Sequence, residues 1–599
     1  MIKPEKSRQT FTTHATNSSI NTSAYNQRLI RLAGNLATVA LTLLLLFTFS
    51  CRSHRPPLQT HLEPLPTPII KSKANKKYLS IISVNNHFDE FAFPANEQNL
   101  LVEFYNINGN HPMWLDDDRL NRNVQDLFVN IQNARTDGLN PLNYGVDEIE
   151  KQVNQITLLD DDDPTLPNLY ARLDIVLSRA WFAYAEDLQN GIVDPAKFSS
   201  GWKKIKQQVN LPELLTKALK KHQIPQSFDE LRPQDIQYNR LRNYLAQLIK
   251  TQENGGWPLP GFFETLETGD SSTHAVAVRK LLLATGDLQP KDTTNLSPLF
   301  DEELKMAVTS FQQRHGLKPD GIIGKNTQEA MNRSVDYRIK QLAVNLERMR
   351  WLPHLHDKEH IVVNIPEFVL RSYRNNKVKA QMNVVVGNVS NPTPILLNTI
   401  KYIVFNPTWN VPPSITRREM VTKMKSDSSY LEKNQYVLLK GSYVSRDTIN
   451  PTDVDWANIT ADNFPYHVVQ KPGRINALGK VKFLFPNDQN IYLHDTPSKS
   501  LFQQYERGYS HGCVRLQEPE RLALHLLEKQ MTEKELREII ASGKTTTVEL
   551  RQKPIIYFVY QTTWVDDNQQ INFRKDIYSF DEKMMEMLGE EPAMQSSRK

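Results

Sequence analysis

Cysteine is almost missing from this chain: two residues in 599, Cys51 and Cys513. If Cys51 lies in or beside a membrane, the rest of the protein carries one thiol and nothing to pair it with. A lone thiol in an oxidising compartment is a liability, so Cys513 needs a reason to be there. Clustered basic charge is missing too. The net charge is +5, but Lys3, Lys6, Arg8, Arg28 and Arg31 against Glu5 account for four of those charges within residues 1–50. A nucleic-acid-binding body is excluded, because phosphate neutralisation needs a clustered basic face. With 39% hydrophobic and 23% charged residues, and 35 Pro against 22 Gly, the bulk is neither low-complexity nor fibrous. The length rules out a single compact domain. Metal signatures are also lacking. His354, His356 and His360 fit no H-E-x-x-H pattern, and the run Asp160 to Asp163 has neither the alternating spacing nor the Gly turn of a calcium loop. No metal and no cofactor are expected, and the acidic run reads as a solvated connection.

What is present begins with a basic tail, residues 1–31, ahead of an apolar segment, residues 32–50. This segment holds the run Leu43-Leu44-Leu45-Leu46-Phe47 and one amide, Asn35. A positive stretch before an apolar one reads as a signal-anchor helix, with the tail cytoplasmic, or as a secretory signal. Arg52 and Arg55 weaken the charge asymmetry an anchor favours. Acylation of Cys51 as a lipoprotein is a second reading, against which stands the poorly matching Thr48-Phe49-Ser50, and simple cleavage is a third. Each exports the remainder. Residues 51–91, rich in Pro and Lys, read as an extended linker.

Residues 92–270 are patterned as a helical scaffold domain. In Leu169, Leu173, Val176, Ala180, Tyr184 and Leu188 apolar residues recur every three or four positions until Gly191 and Pro195 stop the helix. Residues 271–335 form a small unit of three helices. Its string F-Q-Q-R-H-G-L-K-P-D-G-I-I-G-K-N-T begins at Phe311, and the Asp-Gly pair and the glycines Gly321 and Gly324 are expected to supply left-handed turns. The string resembles the peptidoglycan-binding type 1 module, which implies binding to wall glycan or stem peptide unless the module is now only a spacer. A linker helix occupies residues 336–358.

From residue 359 to 582 the period turns to two, and the region is expected to be β-rich with two helices. Ile361, Val363 and Ile365 alternate, a second run covers Lys379 to Val386, and Asn375-Asn376 is the expected turn between them. Further strand-like runs are Ile400 to Phe405, Tyr466 to Gln470 and Asn490 to His494. Helices are expected from Glu518 to Lys529 and after the capping box Thr532-x-x-Glu535, and a last hairpin joins Ile555–Trp564 to Ile571–Tyr578. An insertion lies at about 414–465, and residues 583–599 read as a polar tail. The fold class is thus multidomain α+β.

The chemistry concentrates at Ser510-His511-Gly512-Cys513-Val514-Arg515, with His494 upstream in Ile491-Tyr492-Leu493-His494-Asp495. A thiol is a useful nucleophile only as thiolate, and a nearby imidazole can take its proton. Gly512 would let main-chain N–H groups near Cys513 face a developing oxyanion. This is a site for acyl transfer.

His494, fifteen intervening residues, then S-H-G-C-V-R, resembles the signature of the L,D-transpeptidase (YkuD-type) catalytic domain. The flanking Val384-Val385-Val386-Gly387, Thr393-Pro394, Phe405 to Pro412 and Asn476-Ala477-Leu478-Gly479 agree with it. The order of segments resembles the large, membrane-anchored periplasmic members of Gram-negative bacteria (YcbB-like), in which an insertion caps the substrate site. The resemblance implies that Cys513 attacks a tetrapeptide stem, expels D-alanine and passes the stem to a neighbouring amine as a 3→3 cross-link. His494 would be the base. Ser510 would orient it, through its carbonyl rather than its hydroxyl. Tyr492 and the main chain of Gly512 and Cys513 are candidates for oxyanion and substrate contacts. His511 is more readily structural than basic; Arg515, where relatives often have Asn, either binds a substrate carboxylate or braces the loop. Trp409 lines the donor groove or belongs to the core, and Asn406 is counted with the substrate contacts. The implied partners are donor and acceptor stems, the inner membrane through residues 32–50 and other wall-synthesis enzymes. Hydrolysis of the stem, attachment of a lipoprotein to the wall, or a non-catalytic scaffold are the rival outcomes.

Overall fold

The computed structural model describes residues 93–589 except 117–118, 161, 199–208, 290–295, 353–358, 376, 442 and 444–446. The expected basic tail, apolar segment and linker lie outside the described residues. Among the described ones, no helix is long and apolar enough to cross a membrane.

The helix Leu166–Asn190 organises the scaffold. It buries Leu173, Val176, Ala180, Tyr184 and Leu188, as its periodicity predicts, and Gly191 closes it at φ 69°. Helices Ala95–Ile107, Arg122–Gln132, Val146–Thr157, Leu211–Lys221 and Ile224–Leu231 surround it, around Phe104, Trp181 and Phe182. One buried charge ties this core to the next segment. Asp137 accepts from Arg232 Nη2 at 2.9 Å, Tyr184 at 2.9 Å and Tyr238 at 3.0 Å, and Arg350 donates to its carbonyl from the end of helix Val335–Arg350.

Helices Thr273–Thr285, Glu302–Arg314 and Lys325–Met331 enclose a core of Val278, Leu282, Val308, Phe311 and Ile323. One of the two turn glycines differs from expectation. Gly321 is left-handed at φ 73°, but Gly324 sits at φ −86° as the N-cap of the third helix, a conformation open to any residue.

The large sheet of the C-terminal region has eleven strands among the described residues: β1 His360–Asn364, β2 Val369–Arg374, β3 Lys377–Gly387, β4 Leu396–Thr399, β5 Tyr402–Phe405, β6 Val481–Leu484, β7 Leu493–His494, β8 Gly508–Ser510, β9 Val514–Leu516, β10 Thr546–Glu549 and β11 Ile555–Val559. They pair in the order β10-β5-β6-β7-β9-β3-β2-β1-β11-β4, with β8 also beside β3. Three strands stand where two were expected at its start. The chain turns first at Pro366–Phe368, and β2 pairs with β3 up to Arg374 and Lys377; Asn376 of the expected turn lies outside the described residues. The final hairpin is also shorter, Thr563–Val565 with Ile571–Phe573, because β11 pairs with β1 and β4 instead. Helix Pro519–Leu527 and the capped helix Glu533–Ala541 match their sequence signals. Residues 580–589 form a helix rather than the start of a tail, since Met584 is fully buried in the core of the β-rich region. The insertion has its own small core of Met420, Val421, Leu431, Leu438 and Phe464, and its strand Tyr436–Leu439 pairs with His467–Gln470.

Candidate active site

Period-two alternation decides which side chains meet here. On β6, Val481 and Phe483 enter the core; on β7, Leu493 does; on β9, Val514 and Leu516 do. Lys482, Tyr492, His494, Cys513 and Arg515 therefore share the opposite face. Parallel pairing sets Leu493 beside Val514 and His494 beside Arg515, and antiparallel pairing sets Lys482 beside His494.

Cys513 is half-buried, so the sulfur is not sealed from solvent. It faces the Asn490 carbonyl at 3.7 Å, and the main chain and hydroxyl of Tyr492 lie on the side that favours its ionised form. Burial pushes its ionisation upward, opposed by Tyr492 and by the charges of Lys482 and Arg515. Tyr492 is itself raised by burial and then by the facing sulfur, while Trp409 donates toward its hydroxyl. The Tyr492 and His494 rings meet edge to face at 5.6 Å.

His494 is 5% exposed, and burial, with Arg515 and Lys482 alongside, pushes its ionisation down to about 3. The imidazole is neutral. Its Nδ1 meets the Asp495 carbonyl at 2.5 Å, and since a carbonyl can only accept, Nδ1 carries the proton and Nε2 has the free lone pair. His494 and Cys513 are two positions apart on adjacent strands, and among the described residues no hydrogen bond joins them in this resting state.

Several expected roles change. Ser510 does not orient His494: its carbonyl accepts from Asn388 N–H, and the imidazole is held by Asp495. Instead its buried hydroxyl donates to the Cys513 carbonyl at 2.5 Å and accepts from Gly512 N–H at 3.1 Å, closing the nucleophile turn. Gly512 has φ 105°, a conformation that requires glycine, but its N–H is spent on Ser510 and is not free for an oxyanion. The Cys513 N–H has no acceptor among the described residues and remains for that task. Asn406 is 7% exposed and binds the carbonyls of Ile539 and Lys544, so it braces the fold rather than meeting substrate. His511 points away from the sulfur to Glu419 of the insertion, 2.7 Å from its Nε2. Arg515 has a buried Nε with no hydrogen-bond partner, leaving its guanidinium for an incoming group. Trp409 lies half-buried at the edge of the insertion core, beside Tyr492.

Sequence reasoning missed Lys482, Glu419 and Thr393, whose hydroxyl holds the Gly512 carbonyl at 2.7 Å. Thr393 lay in a flagged string; Lys482 and Glu419 carried no local signal. Of the histidines considered for metal, His360 stacks on Tyr373 at 4.9 Å, and His354 and His356 lie outside the described residues. Among the described residues no group of three or more His, Cys, Asp or Glu could hold a metal ion.

Comparison with known proteins identifies three domains along the chain. Residues 358–548 match the L,D-transpeptidase catalytic domain (YkuD), residues 276–331 a peptidoglycan binding domain and residues 99–245 a scaffold domain. A curated Haemophilus influenzae protein, provisionally named an L,D-transpeptidase, is 35% identical over 246 residues, 41% of this chain and 49% of that protein. The N-acetylmuramoyl-L-alanine amidase CwlM of Mycobacterium tuberculosis is 39% identical over 82 residues, 13% of this chain and 20% of that protein. The chain thus spans about half the length or less of the curated relatives it matches. A solved L,D-transpeptidase from Xylanimonas cellulosilytica covers 50% of this chain and all of its own (100%) at 11% identity, with a TM-score of 0.14, a likeness too low to carry weight. On the matches to residues 99–245, 276–331 and 358–548, the chain carries a scaffold domain, a peptidoglycan-binding domain and an L,D-transpeptidase catalytic domain of the YkuD type.

Proposed function

We propose that this protein forms 3→3 cross-links between peptidoglycan stem peptides through a thioester on Cys513. The observation that carries the reading is the half-buried thiol, faced by the Tyr492 hydroxyl and flanked by a neutral His494 whose Nε2 is free to accept. The donor stem enters between Trp409 and Arg515, with a stem carboxylate on the unpartnered guanidinium. The Cys513 sulfur attacks the carbonyl between the third and fourth stem residues, and the thiol proton passes to His494. The oxyanion is held by the Cys513 N–H and the Tyr492 hydroxyl. Collapse expels D-alanine, which takes the proton from His494, as microscopic reversibility requires. The side-chain amine of a neighbouring stem then attacks the thioester and gives a proton to His494; the C–S bond breaks, the proton returns to the sulfur, and the new amide is the cross-link.

The folded insertion, joined to the nucleophile turn through Glu419 and His511, acts as the cap over the donor site, as in large YcbB-like enzymes. The protein works in the periplasm, held at the inner membrane by residues 32–50 or by lipid on Cys51. Hydrolysis or lipoprotein attachment would proceed from the same thioester with a different nucleophile. Mass spectrometry of the protein with a carbapenem, a stem-peptide mimic, tests the first half. A covalent adduct on Cys513 that disappears in Cys513→Ala is expected, and its absence from the unaltered protein refutes the reading. Muropeptide analysis then distinguishes cross-linking from trimming.

A further inference from the structure

Strand register places three basic side chains in a row on the open face of the sheet: Lys482 beside His494, and His494 beside Arg515. No carboxylate faces the row among the described residues. Asp495, the nearest in sequence, turns to Lys499 Nζ at 2.6 Å and to the N–H groups of Lys480 and Thr496. On the other side β5 offers Val404 opposite Lys482. Lys482 makes no ion pair or hydrogen bond among the described residues; its Nζ sits 3.8 Å from the centroid of the Tyr492 ring, whose hydroxyl faces the Cys513 sulfur.

A half-buried ammonium with no counter-ion is costly, and an aromatic face offsets only part of that cost. A thiolate formed at Cys513 would supply the missing charge. The imidazole, between Lys482 and Arg515 and with no acid behind it, is by contrast a poor place to keep a second proton. We propose that the counter-ion of the Cys513 thiolate is the Lys482 ammonium, and that His494 carries the proton only in transit instead of holding it as a resting imidazolium. This rests on the thioester reading above. The S–H proton moves to His494 Nε2, and the thiolate this leaves, paired with the Lys482 ammonium, forms the S–C bond. As the C–N bond breaks, the same proton leaves with the amine. Lys482 keeps its protons throughout, so it is an electrostatic positioning residue, with a signature in the ionisation of the sulfur.

The test uses the full chain with Cys51→Ser, so that Cys513 is the remaining thiol. The rate of iodoacetamide alkylation at Cys513 is followed against pH, with the site verified by peptide mass spectrometry and folding by circular dichroism. Lys482→Met should raise the ionisation midpoint by about one pH unit, which is about tenfold less thiolate below it. Lys482→Arg should restore the midpoint, and His494→Gln should leave it within a few tenths of a unit. Should Lys482→Met fail to fold, Lys482→Gln takes its place. An unchanged midpoint without Lys482, or a rise of about one unit or more on loss of His494, overturns the proposal. Alkylation needs neither wall nor antibiotic. A shifted midpoint without a carbapenem adduct would therefore refute the thioester function while leaving the charge pairing intact.

Discussion

Ser510→Ala is the perturbation that most directly separates the site seen here from the one the sequence suggested. The buried hydroxyl makes two hydrogen bonds within the turn 510–513, at 2.5 Å to the Cys513 carbonyl and 3.1 Å from Gly512 N–H, and the residue is 2% exposed. A neutral hydrogen bond contributes about 1 kcal/mol net, and a buried group left unpaired costs about 1–3 kcal/mol, so the turn loses roughly 2–4 kcal/mol of local restraint. Gly512, held at φ 105°, is the residue most able to relax. If about half of that loss is expressed in the position of the sulfur at the transition state, acylation slows about fivefold to thirtyfold. The assay is the second-order rate of carbapenem acylation, followed by intact-protein mass spectrometry. His494 imidazole resonances are followed in parallel by NMR. Because Asp495 and not Ser510 holds Nδ1, the imidazole titration and tautomer should not change. An unaltered acylation rate, or a His494 titration that moves in Ser510→Ala, would refute this account of the turn.

Other outcomes follow from the same contacts. With His494 neutral above about pH 3 and the Cys513 thiol raised, carbapenem acylation should climb with pH through neutrality and show no imidazole inflection; a plateau beginning near pH 6 would contradict it. The depressed imidazole also bears on stability. The unfolded chain takes up a proton at the ordinary histidine value and the folded one does not, so the stabilisation is complete above that value and is lost as the pH falls toward about 3. Its slope is at most about 1.4 kcal/mol per pH unit, and His494→Gln should flatten it in denaturant titrations. Arg232→Met strips the buried Asp137 of its closest cation and should destabilise the scaffold by about 3 kcal/mol, measured by urea unfolding; a loss below about 1 kcal/mol would count against the ion cluster. Deleting residues 420–460 should lower cross-linking while hydrogen exchange of the main sheet stays protected, and unchanged turnover would remove the cap role. Glu419→Gln should raise exchange in residues 416–426 if its contact with His511 holds the cap down.

Much of the architecture is already present in the amino-acid order. The alternation Val481/Phe483 and Val514/Leu516 tells which face of each strand enters the core, the 3.6-residue stripe of Leu173 to Leu188 gives the long scaffold helix, and Thr532 with Glu535 caps a helix where the pattern says one starts. The pair His494 and Cys513 could likewise be named from their motif alone. The roles around them could not. Lys482 lies twelve residues from His494 in the chain, inside an ordinary apolar strand, and becomes its neighbour only through antiparallel pairing. Ser510 looks like the group that orients His494, and Asn406 like a substrate contact, until it is seen which carbonyls they already hold. Periodicity is a property of one strand and fixes which way its side chains alternate. Register is a property of two strands distant in sequence, set by how their hydrophobic faces share a core, and a slip of one residue would have turned Lys482 inward.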